Sequence, residues 1–328
     1  MNCELAKQGR KGCRNQLCKV TLHNNNRLIT STHLSRPENY FSIYQSGCNF
    51  ECKKCHSWYF TQIPSGDWYS PSDILEMCKE YNEIVTLKEQ RSKATAYHAF
   101  DTCRCCGLCL LGRRSKYCPK KLKKDQIILS PQGYGPARNI VGFTGGDLTC
   151  NPDFYCKCAE LIKNETELWV LIETNGFGLT PKNLNSLKKS GVDSFWLDIK
   201  AYDDKVHKWL TGSSNEHILE LPSLIIEKDF VLEVLSLYIP NLVEEDQIYK
   251  IASILAEVDE NIPFTILAFF PEYEMLDFRS PNLEEMIKAF KLAKDTGLKN
   301  IRLGNTGIFA KNYKDFKILE EKVGIGRF

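Results

Sequence analysis

The sequence predicts an α/β protein built as a (β/α)6-type, partial or near-complete TIM barrel, with an N-terminal extension and a cysteine-rich insert. Three observations predict this fold. About seven short apolar runs, rich in β-branched and aromatic residues, follow one another from residue 40 onward. Segments of helical character lie between most of them, and this alternation is typical of βα units with a parallel sheet. The chain has 328 residues, of which 43% are hydrophobic, enough to bury one large core.

The predicted strands are apolar runs bounded by turn residues. They cover residues 40–45, 139–144, 168–173, 194–199, 230–239, 264–270 and 300–304. The predicted helices have a helical spacing of apolar residues, and several begin near a proline or an asparagine. They cover residues 71–92, 153–163, 181–190, 214–227, 244–258 and 282–296.

Two regions interrupt the alternation of strands and helices. Residues 1–38 are polar, basic and cysteine-bearing, so we expect them to form an N-terminal extension. Residues 71–137 begin with a helix and continue as a cysteine-rich, basic loop, which predicts an insert between the first and second barrel strands. The barrel itself is then expected over residues 39–70 and 138–328.

The composition and the cysteine count indicate which partners and which compartment to expect. The formal net charge of +2 and the charged fraction of 26% indicate neither nucleic acid nor membrane as a partner. The sequence has no apolar run long enough to cross a bilayer and no signal-peptide pattern, so a cytoplasmic location is expected. The 15 cysteines are an odd number. In a reducing compartment, clustered cysteines are more often metal ligands than disulfides.

The most informative stretch is "SGCNFECKKCH" at residues 46–56, which follows the first predicted strand. Loops at this end of barrel strands carry the chemistry of α/β enzymes. The spacing of Cys48, Cys52 and Cys55 can hold three irons of a [4Fe–4S] cluster and leave the fourth iron open to a substrate. The alternative is a structural zinc ion with a fourth ligand from elsewhere in the chain.

This motif resembles that of the radical S-adenosylmethionine (SAM) enzymes. The resemblance implies that the open iron binds SAM, which is cleaved to a 5′-deoxyadenosyl radical that abstracts hydrogen from a substrate. The segment "GFTGGDLTC" at 142–150 is similar to the family's Gly-Gly-Glu segment, which meets the SAM amino group. Gly145 and Gly146 match, and Asp147 stands where glutamate is usual. An ordinary glycine turn is the alternative.

Further segments resemble the glycyl-radical-enzyme activating enzymes, such as the pyruvate formate-lyase activating enzyme. The matched residues are Thr174 and Asn175, then Asp198 and Lys200, then His207. These residues are implied to bind the cofactor. The resemblance also implies a monovalent cation near SAM.

The implied cation ligands are Glu173 and Asp198, each at the end of a predicted strand. Two unpaired carboxylates in one pocket would have raised pKa values unless a cation lies between them or Lys200 pairs with one. A solvated, charged strand end is the alternative. The C-terminal part is similar to uncharacterised activating-enzyme-like proteins, but residues 264–270 lack the histidine usual there. One SAM contact is therefore expected to be missing or supplied differently.

The insert predicts a second metal site. Cys103, Cys106, Cys109 and Cys118 resemble a ferredoxin ligand set, so an auxiliary [4Fe–4S] cluster is expected, with zinc as the alternative. The insert is also basic. Its cationic residues are Arg113, Arg114, Lys116, Lys120, Lys121, Lys123 and Lys124. They form either a solvated face or a docking surface for an acidic electron donor such as flavodoxin or ferredoxin. Aromatic residues for stacking on RNA are scarce.

The remaining cysteines leave open alternatives. Cys13, Cys18, Cys150, Cys156 and Cys158 could form another cluster if the N-terminal arm folds back, or they could be unligated thiols. Cys78 fits a small buried hydrophobe in a helix. The sequence assigns no role to Cys3 or Cys105.

Three functions fit these observations. The first is an activase that installs a glycyl radical on a partner protein. The second is direct radical modification of a peptide, an RNA base or a small molecule. The third is an iron–sulfur electron carrier without SAM chemistry, which would not need the Gly-Gly-Asp, Thr-Asn-Gly and Asp-x-Lys segments.

Overall fold

The computed structural model describes residues 20–328. Its strands are β1 Leu22–His23, β2 Asn26–Leu34, β3 Phe41–Gln45, β4 Asp67–Tyr69, β5 Ile128–Ser130, β6 Gly133–Gly135, β7 Ile140–Gly145, β8 Trp169–Thr174, β9 Ser194–Asp198, β10 Val231–Tyr238, β11 Phe264–Ala268 and β12 Ile301–Gly304. Its α-helices are α1 Trp58–Thr61, α2 Pro71–Glu83, α3 Asp153–Glu165, α4 Pro181–Lys189, α5 Asp204–Thr211, α6 Glu216–Glu227, α7 Glu245–Val258, α8 Leu283–Asp295 and α9 Tyr313–Lys322.

The main sheet is open and mostly parallel. β3 and β7 to β12 pair in chain order, and every pairing among them is parallel. β2 pairs antiparallel with β3 and carries β1 and β4 at the same edge. Within residues 20–328, no pairing joins β12 to the β2 edge, so the sheet does not close. The mixed α/β fold with a sequential parallel sheet is confirmed.

The predicted strands are confirmed as β3 and β7 to β12, with bounds within two residues. Two helix predictions differ from the structure. The predicted helix 71–92 ends at Glu83, because the N–H groups of Thr86 and Leu87 instead bond to Ala137 O. The predicted helix 214–227 is preceded by a separate helix, α5, whose first turn is capped by the Asp203 carboxylate.

The predicted extension differs from the structure in its second half. Residues 26–34 form β2, which pairs antiparallel with β3. The pairing begins where Leu34 lies opposite Phe41. The expected boundary at residue 38 therefore falls within a hairpin of the main sheet. Cys3, Cys13 and Cys18 lie outside the described residues.

The two faces of the parallel sheet have different neighbours. Phe143, Ile172 and Leu197 point to one face and join the large hydrophobic cluster that includes the helices. Side chains alternate along a strand, so the intervening residues point to the opposite, inner face. There, Leu171 and Trp196 pack with Tyr40 in a second, smaller cluster. Polar residues on this inner face are the ones that can line an internal site.

The start of the insert closes one end of the inner face. The Tyr97 N–H donates to Glu233 Oε2 at 2.8 Å, and Arg138 donates to Thr95 O at 2.8 Å. Arg302, near the start of β12, pairs with Asp101 at 3.2 Å. These contacts lie near the N-terminal ends of the strands. A ligand can therefore reach the inner face from the C-terminal ends.

The structure contains no helix, within its described range, that is long and apolar enough to cross a membrane.

Candidate active site

A cavity of about 330 Å³ lies at the C-terminal ends of the parallel strands. Its wall includes most of the residues that the sequence assigned to the site. Those residues are Cys48, Cys52, Cys55, Gly145, Asp147, Glu173, Thr174, Asn175, Asp198 and Lys200. The loops after four neighbouring strands thus bring the predicted motifs together.

Residues 46–56, which we call the cluster loop, are fixed by backbone hydrogen bonds. The N–H groups of Glu51 and Lys53 donate to the last carbonyls of α5, at 3.1 and 2.8 Å. The Asn49 N–H donates to Asp147 O at 3.0 Å. The loop is therefore tied to two different βα connections, which fixes where its cysteines lie.

The three thiols face one cavity and influence one another electrostatically. Burial, with smaller contributions from the nearby Asp147 and Cys55, raises the pKa of the Cys48 thiol to about 11. Burial also raises the pKa of Cys52, with Cys48 and Cys55 adding to the effect. Metal binding would need these thiols as thiolates, so loading the site would release protons.

The donor set suits a cluster better than a single ion. Across residues 20–328, no three His, Cys, Asp or Glu side chains converge closely enough to hold one metal ion. A [4Fe–4S] cluster places each thiolate on a separate iron, so its ligands surround a volume. Three thiols on the wall of one cavity, with no fourth beside them in the part of the chain that the structure describes, fit a cluster with one open iron.

The glycine pair at the end of β7 lets this strand approach the cluster loop. Gly145 has φ +86°, in the left-handed region that favours glycine. A Cβ on Gly146 would lie 1.9 Å from Gly47 O. Only glycine fits there, so the segment is more than an ordinary turn.

Asp147 lies on the cavity wall, but its carboxylate is already saturated. Oδ1 accepts from the N–H and the hydroxyl of Thr149, both at 2.8 Å. Oδ2 accepts from the Thr174 hydroxyl at 2.6 Å and from the Asn175 N–H at 2.9 Å. The observed role of Asp147 is to join the loops after β7 and β8. The expected contact with the SAM amino group would require one of these bonds to be exchanged.

Asn175 extends this network to the cluster loop. Its Nδ2 donates to Asn49 Oδ1 at 2.6 Å and lies 3.8 Å from Cys48 Sγ. The Thr-Asn segment therefore positions the first cysteine through direct side-chain contact.

Glu173 is a buried carboxyl whose two oxygens both accept hydrogen bonds. Tyr40 donates to Oε1 at 2.8 Å, and Thr144 donates to Oε2 at 2.5 Å. Burial raises the pKa of Glu173 to about 8, and the charges of Glu38 and Glu233 act in the same direction.

Asp198 pairs with Lys200, the second alternative that the sequence left open. Asp198 Oδ2 accepts from Lys200 Nζ. Burial would lower the pKa of Lys200, but Asp198 and Cys52 raise it above its usual value. Asp198 Oδ1 is buried and has no hydrogen-bond partner among the described residues. Pairing with Lys200 was one of the two alternatives that the sequence left open, and Asp198 Oδ1 is the oxygen still available to a cation. A cation held by Glu173 and Asp198 remains a prediction.

His207 does not line the cavity. It is fully buried on α5, where Nδ1 bonds to Ser213 O at 2.7 Å. Its ring packs edge-on against Phe50 of the cluster loop, with 5.7 Å between the ring centroids. Burial lowers its pKa. The expected cofactor contact is replaced by a structural one, because α5 lies behind the cluster loop.

Residues 269–278, which we call the strap, follow β11 and cross the cluster loop. Lys54 Nζ pairs with Glu272 at 2.7 Å and lies 3.8 Å from the centroid of the Phe270 ring. His56 Nδ1 contacts the same carboxylate at 2.8 Å. Lys54 and His56 lower the pKa of Glu272, although burial acts in the opposite direction.

The sequence reasoning did not identify the strap as part of the site. Trp58 stacks on Tyr273 with 5.1 Å between centroids, and the Glu274 N–H donates to Lys53 O at 3.1 Å. The signal was present in "FFPEYE", which places aromatic and acidic residues directly after a strand. Only the fold shows that these residues meet the cluster loop.

The cysteine-rich insert lies at the other end of the sheet. Cys105 Sγ contacts Asn39 Oδ1 at 3.2 Å, just before β3 begins, and Arg104 donates to Phe328 O at 2.6 Å. Lys116 pairs with Glu320 on α9. A five-residue strand spans about 17 Å. Cys105 therefore lies at the N-terminal end of β3, whereas the cavity lies at its C-terminal end.

Within the insert, the four predicted ligands are partly accessible. Cys106 is exposed, and Cys103, Cys109 and Cys118 are half-buried. Several basic side chains beside them are exposed. The auxiliary cluster and the donor surface remain predictions.

The other described cysteines do not form a common site. Cys158 is buried in the core close to Cys78, which is also fully buried as expected. Cys156 lies two residues away on α3 and bonds to Ser190. These environments differ because neighbouring positions on a helix point in different directions. Cys150, Cys156 and Cys158 do not converge on one site by themselves. Cys13 and Cys18, the other members of the cluster that the sequence left open, lie outside the described residues, so that alternative stays untested.

Comparisons with known proteins relate the chain to the family that its motifs resemble. The radical SAM superfamily domain matches residues 104–250. A protein of Methanocaldococcus jannaschii named as a glycyl-radical enzyme activating enzyme is 26% identical over 270 residues, which cover 81% of this chain and 81% of that protein.

Two solved structures resemble the fold. Methylornithine synthase (PylB) has a TM-score of 0.52 and 15% identity, covering 87% of this chain and 69% of that one. Streptococcus suis SuiB bound to S-adenosylmethionine has a TM-score of 0.52 and 14% identity, covering 84% of this chain and 53% of that one. At these identities the two structures support the fold alone.

Proposed function

We propose that this chain cleaves SAM reductively at a [4Fe–4S] cluster held by Cys48, Cys52 and Cys55, and the match to the radical SAM superfamily domain and the activating-enzyme relative support this. When bound, the cluster supplies the electron that splits SAM into methionine and a 5′-deoxyadenosyl radical, which takes hydrogen from a substrate. The observation that carries this proposal is the cavity that all three thiols share with the residues of the Gly-Gly-Asp, Thr-Asn-Gly and Asp-x-Lys segments.

The chain's own residues have distinct roles in this proposal. The glycine pair brings the end of β7 against the cluster loop, and Asp147 locks that end to Asn175. Asp198 and Lys200 present a neutral ion pair with one unused carboxylate oxygen. That oxygen can accept from the SAM ammonium group or bind a monovalent cation. The strap covers the cluster loop and shields part of it from water.

The protein named as an activating enzyme supports a protein partner as the source of the abstracted hydrogen. Direct modification of a peptide, an RNA base or a small molecule is the second candidate. A gene neighbour that encodes a glycyl-radical protein would favour the first.

The auxiliary cluster is proposed for the insert, far from SAM. Because the insert lies at the opposite end of the sheet, its cluster cannot touch a molecule bound in the cavity. Its exposed cysteine and basic surface support an exchange of electrons with an acidic donor such as flavodoxin or ferredoxin. Changing Cys106 and Cys109 together to serine should remove about four irons per chain. SAM cleavage with dithionite should persist, and its complete loss would contradict the separation of the two sites.

The direct test is anaerobic incubation of the iron-loaded protein with SAM, dithionite and candidate partners. Mass spectrometry should detect 5′-deoxyadenosine, and electron paramagnetic resonance should detect a reduced cluster whose signal changes when SAM is added. A reduced cluster that does not respond to SAM, with no 5′-deoxyadenosine, would leave the electron carrier as the better account.

A further inference from the structure

The short helix α1 carries a hydroxyl that contacts one of the three thiols. Thr61 Oγ1, on the last residue of α1, lies 3.2 Å from Cys55 Sγ. Thr61 is 1% exposed and lines the same cavity as the cysteines. A threonine at the end of a helix usually donates to a carbonyl one turn earlier, as Thr166 does to Ile162 O at 2.8 Å. The hydroxyl of Thr61 points to a sulfur instead.

The direction of this hydrogen bond is fixed once the cysteine binds iron. Between a thiol and a hydroxyl either group can donate, but a thiolate has no proton and can only accept. Thr61 must then donate to Cys55, so the contact can persist in the metal-loaded protein. The bond from Cys48 Sγ to Asn49 Oδ1, at 3.6 Å, behaves differently. There the thiol is the donor, so the bond is lost when Cys48 becomes a thiolate.

The donors that reach the cysteine sulfurs are of two kinds. The backbone N–H groups of Phe50 and Asp147 bond to Cys48, and a change of side chain does not remove a backbone donor. Cys55 receives its hydrogen bond from the side chain of Thr61. The surroundings of the Cys55 sulfur therefore depend on which residue occupies position 61.

The position of α1 is fixed by contacts with the cluster loop and the strap. Phe60 O accepts from the Gly47 N–H at 3.1 Å and from the Ser46 hydroxyl at 2.7 Å. The stacking of Trp58 on the strap holds the first turn of α1. The hydroxyl of Thr61 is thus directed to the cysteine by the protein itself.

We propose that Thr61 raises the reduction potential of the centre held by the three cysteines, by donating its hydroxyl to the Cys55 thiolate. Hydrogen bonds to the sulfurs are among the factors that set the potential of an iron–sulfur cluster. The reduced cluster carries one more negative charge, so it gains more from the donor than the oxidised cluster does. In this step one electron passes from an external reductant to the cluster, and no proton moves. The inference rests on the cluster of the proposed function but does not require SAM cleavage.

The test is a redox titration of the iron-loaded protein without SAM, followed by electron paramagnetic resonance. The signal that is missing in Cys55→Ala is assigned to this centre, which separates it from any centre in the insert. Thr61→Val keeps the shape of the side chain and removes the donor, whereas Thr61→Ser keeps the hydroxyl. Thr296→Val is the matched control, because it removes a hydroxyl that donates to Ala293 O at the end of α8.

We expect Thr61→Val to lower the midpoint potential. At the wild-type midpoint, the ratio of reduced to oxidised cluster should fall several-fold, up to about tenfold, and a tenfold change is about 59 mV for a one-electron couple. Thr61→Ala should shift the midpoint in the same direction, so the result does not depend on how one variant loads iron. Thr61→Ser and Thr296→Val should stay near wild type. An unchanged midpoint in both Thr61→Val and Thr61→Ala, or an equal shift in Thr61→Ser, would overturn the inference.

Two further readouts separate this inference from the proposed function. If Thr61→Val weakened SAM binding and left the midpoint unchanged, the hydroxyl would serve SAM and the inference would fail. A lowered midpoint in a protein that does not cleave SAM would support the inference while the proposed function fails. If Cys55→Ala removed no signal from the iron-loaded protein, the cluster and the inference would both be wrong.

Discussion

Changing Gly146 to alanine tests how the glycine pair positions the cluster loop. A Cβ at this position would lie 1.9 Å from Gly47 O and 2.9 Å from Gln45 O. Both neighbours are backbone atoms, so no side-chain rotation can relieve the contact. The start of the cluster loop must move, one residue before Cys48.

The size of the effect follows from these distances. Ordinary contacts begin near 3.4 Å, so the Gly47 carbonyl and the β7 end must separate by about 1.5 Å. That movement strains the hydrogen bonds from the Gly146 N–H to Gln45 O at 2.8 Å and from the Gly47 N–H to Phe60 O at 3.1 Å. Overpacking of this kind costs about 1–3 kcal/mol. We therefore expect the free energy of unfolding to fall by about 2 kcal/mol.

Anaerobic urea unfolding followed by circular dichroism measures the change, since the midpoint should fall while the slope stays constant. The rate of 5′-deoxyadenosine formation should also fall, because the loop carries the first cysteine. Gly307→Ala is the matched control, since a Cβ there meets nothing within 4 Å. If Gly146→Ala unfolded and cleaved SAM like Gly307→Ala, the glycine pair would have no positioning role.

Three further predictions concern the charges of the site. Burial raises the pKa of Glu173 to about 8, so the native state holds its proton more tightly than the unfolded chain. Stability should be greatest below about pH 4.5 and fall as pH rises towards 8, by at most about 1.4 kcal/mol per pH unit from this group. Glu173→Gln should flatten that decline in urea midpoints measured across this range, and an unchanged slope would contradict it. Glu272→Gln removes the partner of Lys54, whose side chain is 7% exposed, and should raise the KM for SAM several-fold. Glu274→Gln, in an exposed pair with Lys53, should change it little; equal effects would remove the strap from the site. Asp198→Ala should weaken SAM binding without loss of iron, with Asp198→Asn intermediate. Wild-type cleavage should depend on K⁺ or Na⁺ at constant ionic strength, and a flat response would remove the cation from the account.

The strands were predictable because each is a short apolar run with its own turn signals. The local sequence alone was enough to predict strand 194–198 and its neighbours. β2 was missed because its sequence, "NRLITSTHL", mixes polar and apolar residues as an edge strand does. α5 was missed because its eight residues give too short a periodic signal.

The site was predictable where one motif contains the chemistry, as in the three cysteines of the cluster loop. Side-chain partners were harder to predict. Nothing in the local sequence shows that Asp147 would be saturated by Thr149, Thr174 and Asn175, or that His207 would lie behind the loop. Those outcomes depend on distances between separate βα connections, which the fold alone determines.

The insert shows the same limit on a larger scale. The spacing of its cysteines predicted a metal site. The sequence did not show that the insert lies at the N-terminal ends of the strands. Contacts of Arg104 and Cys105 with Phe328 and Asn39 establish that position. The separation of two cysteine groups along one sheet is therefore a structural finding.

The central claim is that Cys48, Cys52 and Cys55 hold the centre that cleaves SAM. The most direct measurement is 5′-deoxyadenosine formation from SAM and dithionite by each single alanine variant, with iron determined on the same samples. Cys78→Ala serves as the control, because this thiol is buried in the core away from the cavity. Each of the three variants should form no 5′-deoxyadenosine and keep part of its iron in the insert, while the control stays active. SAM cleavage that persists in all three variants would contradict the account.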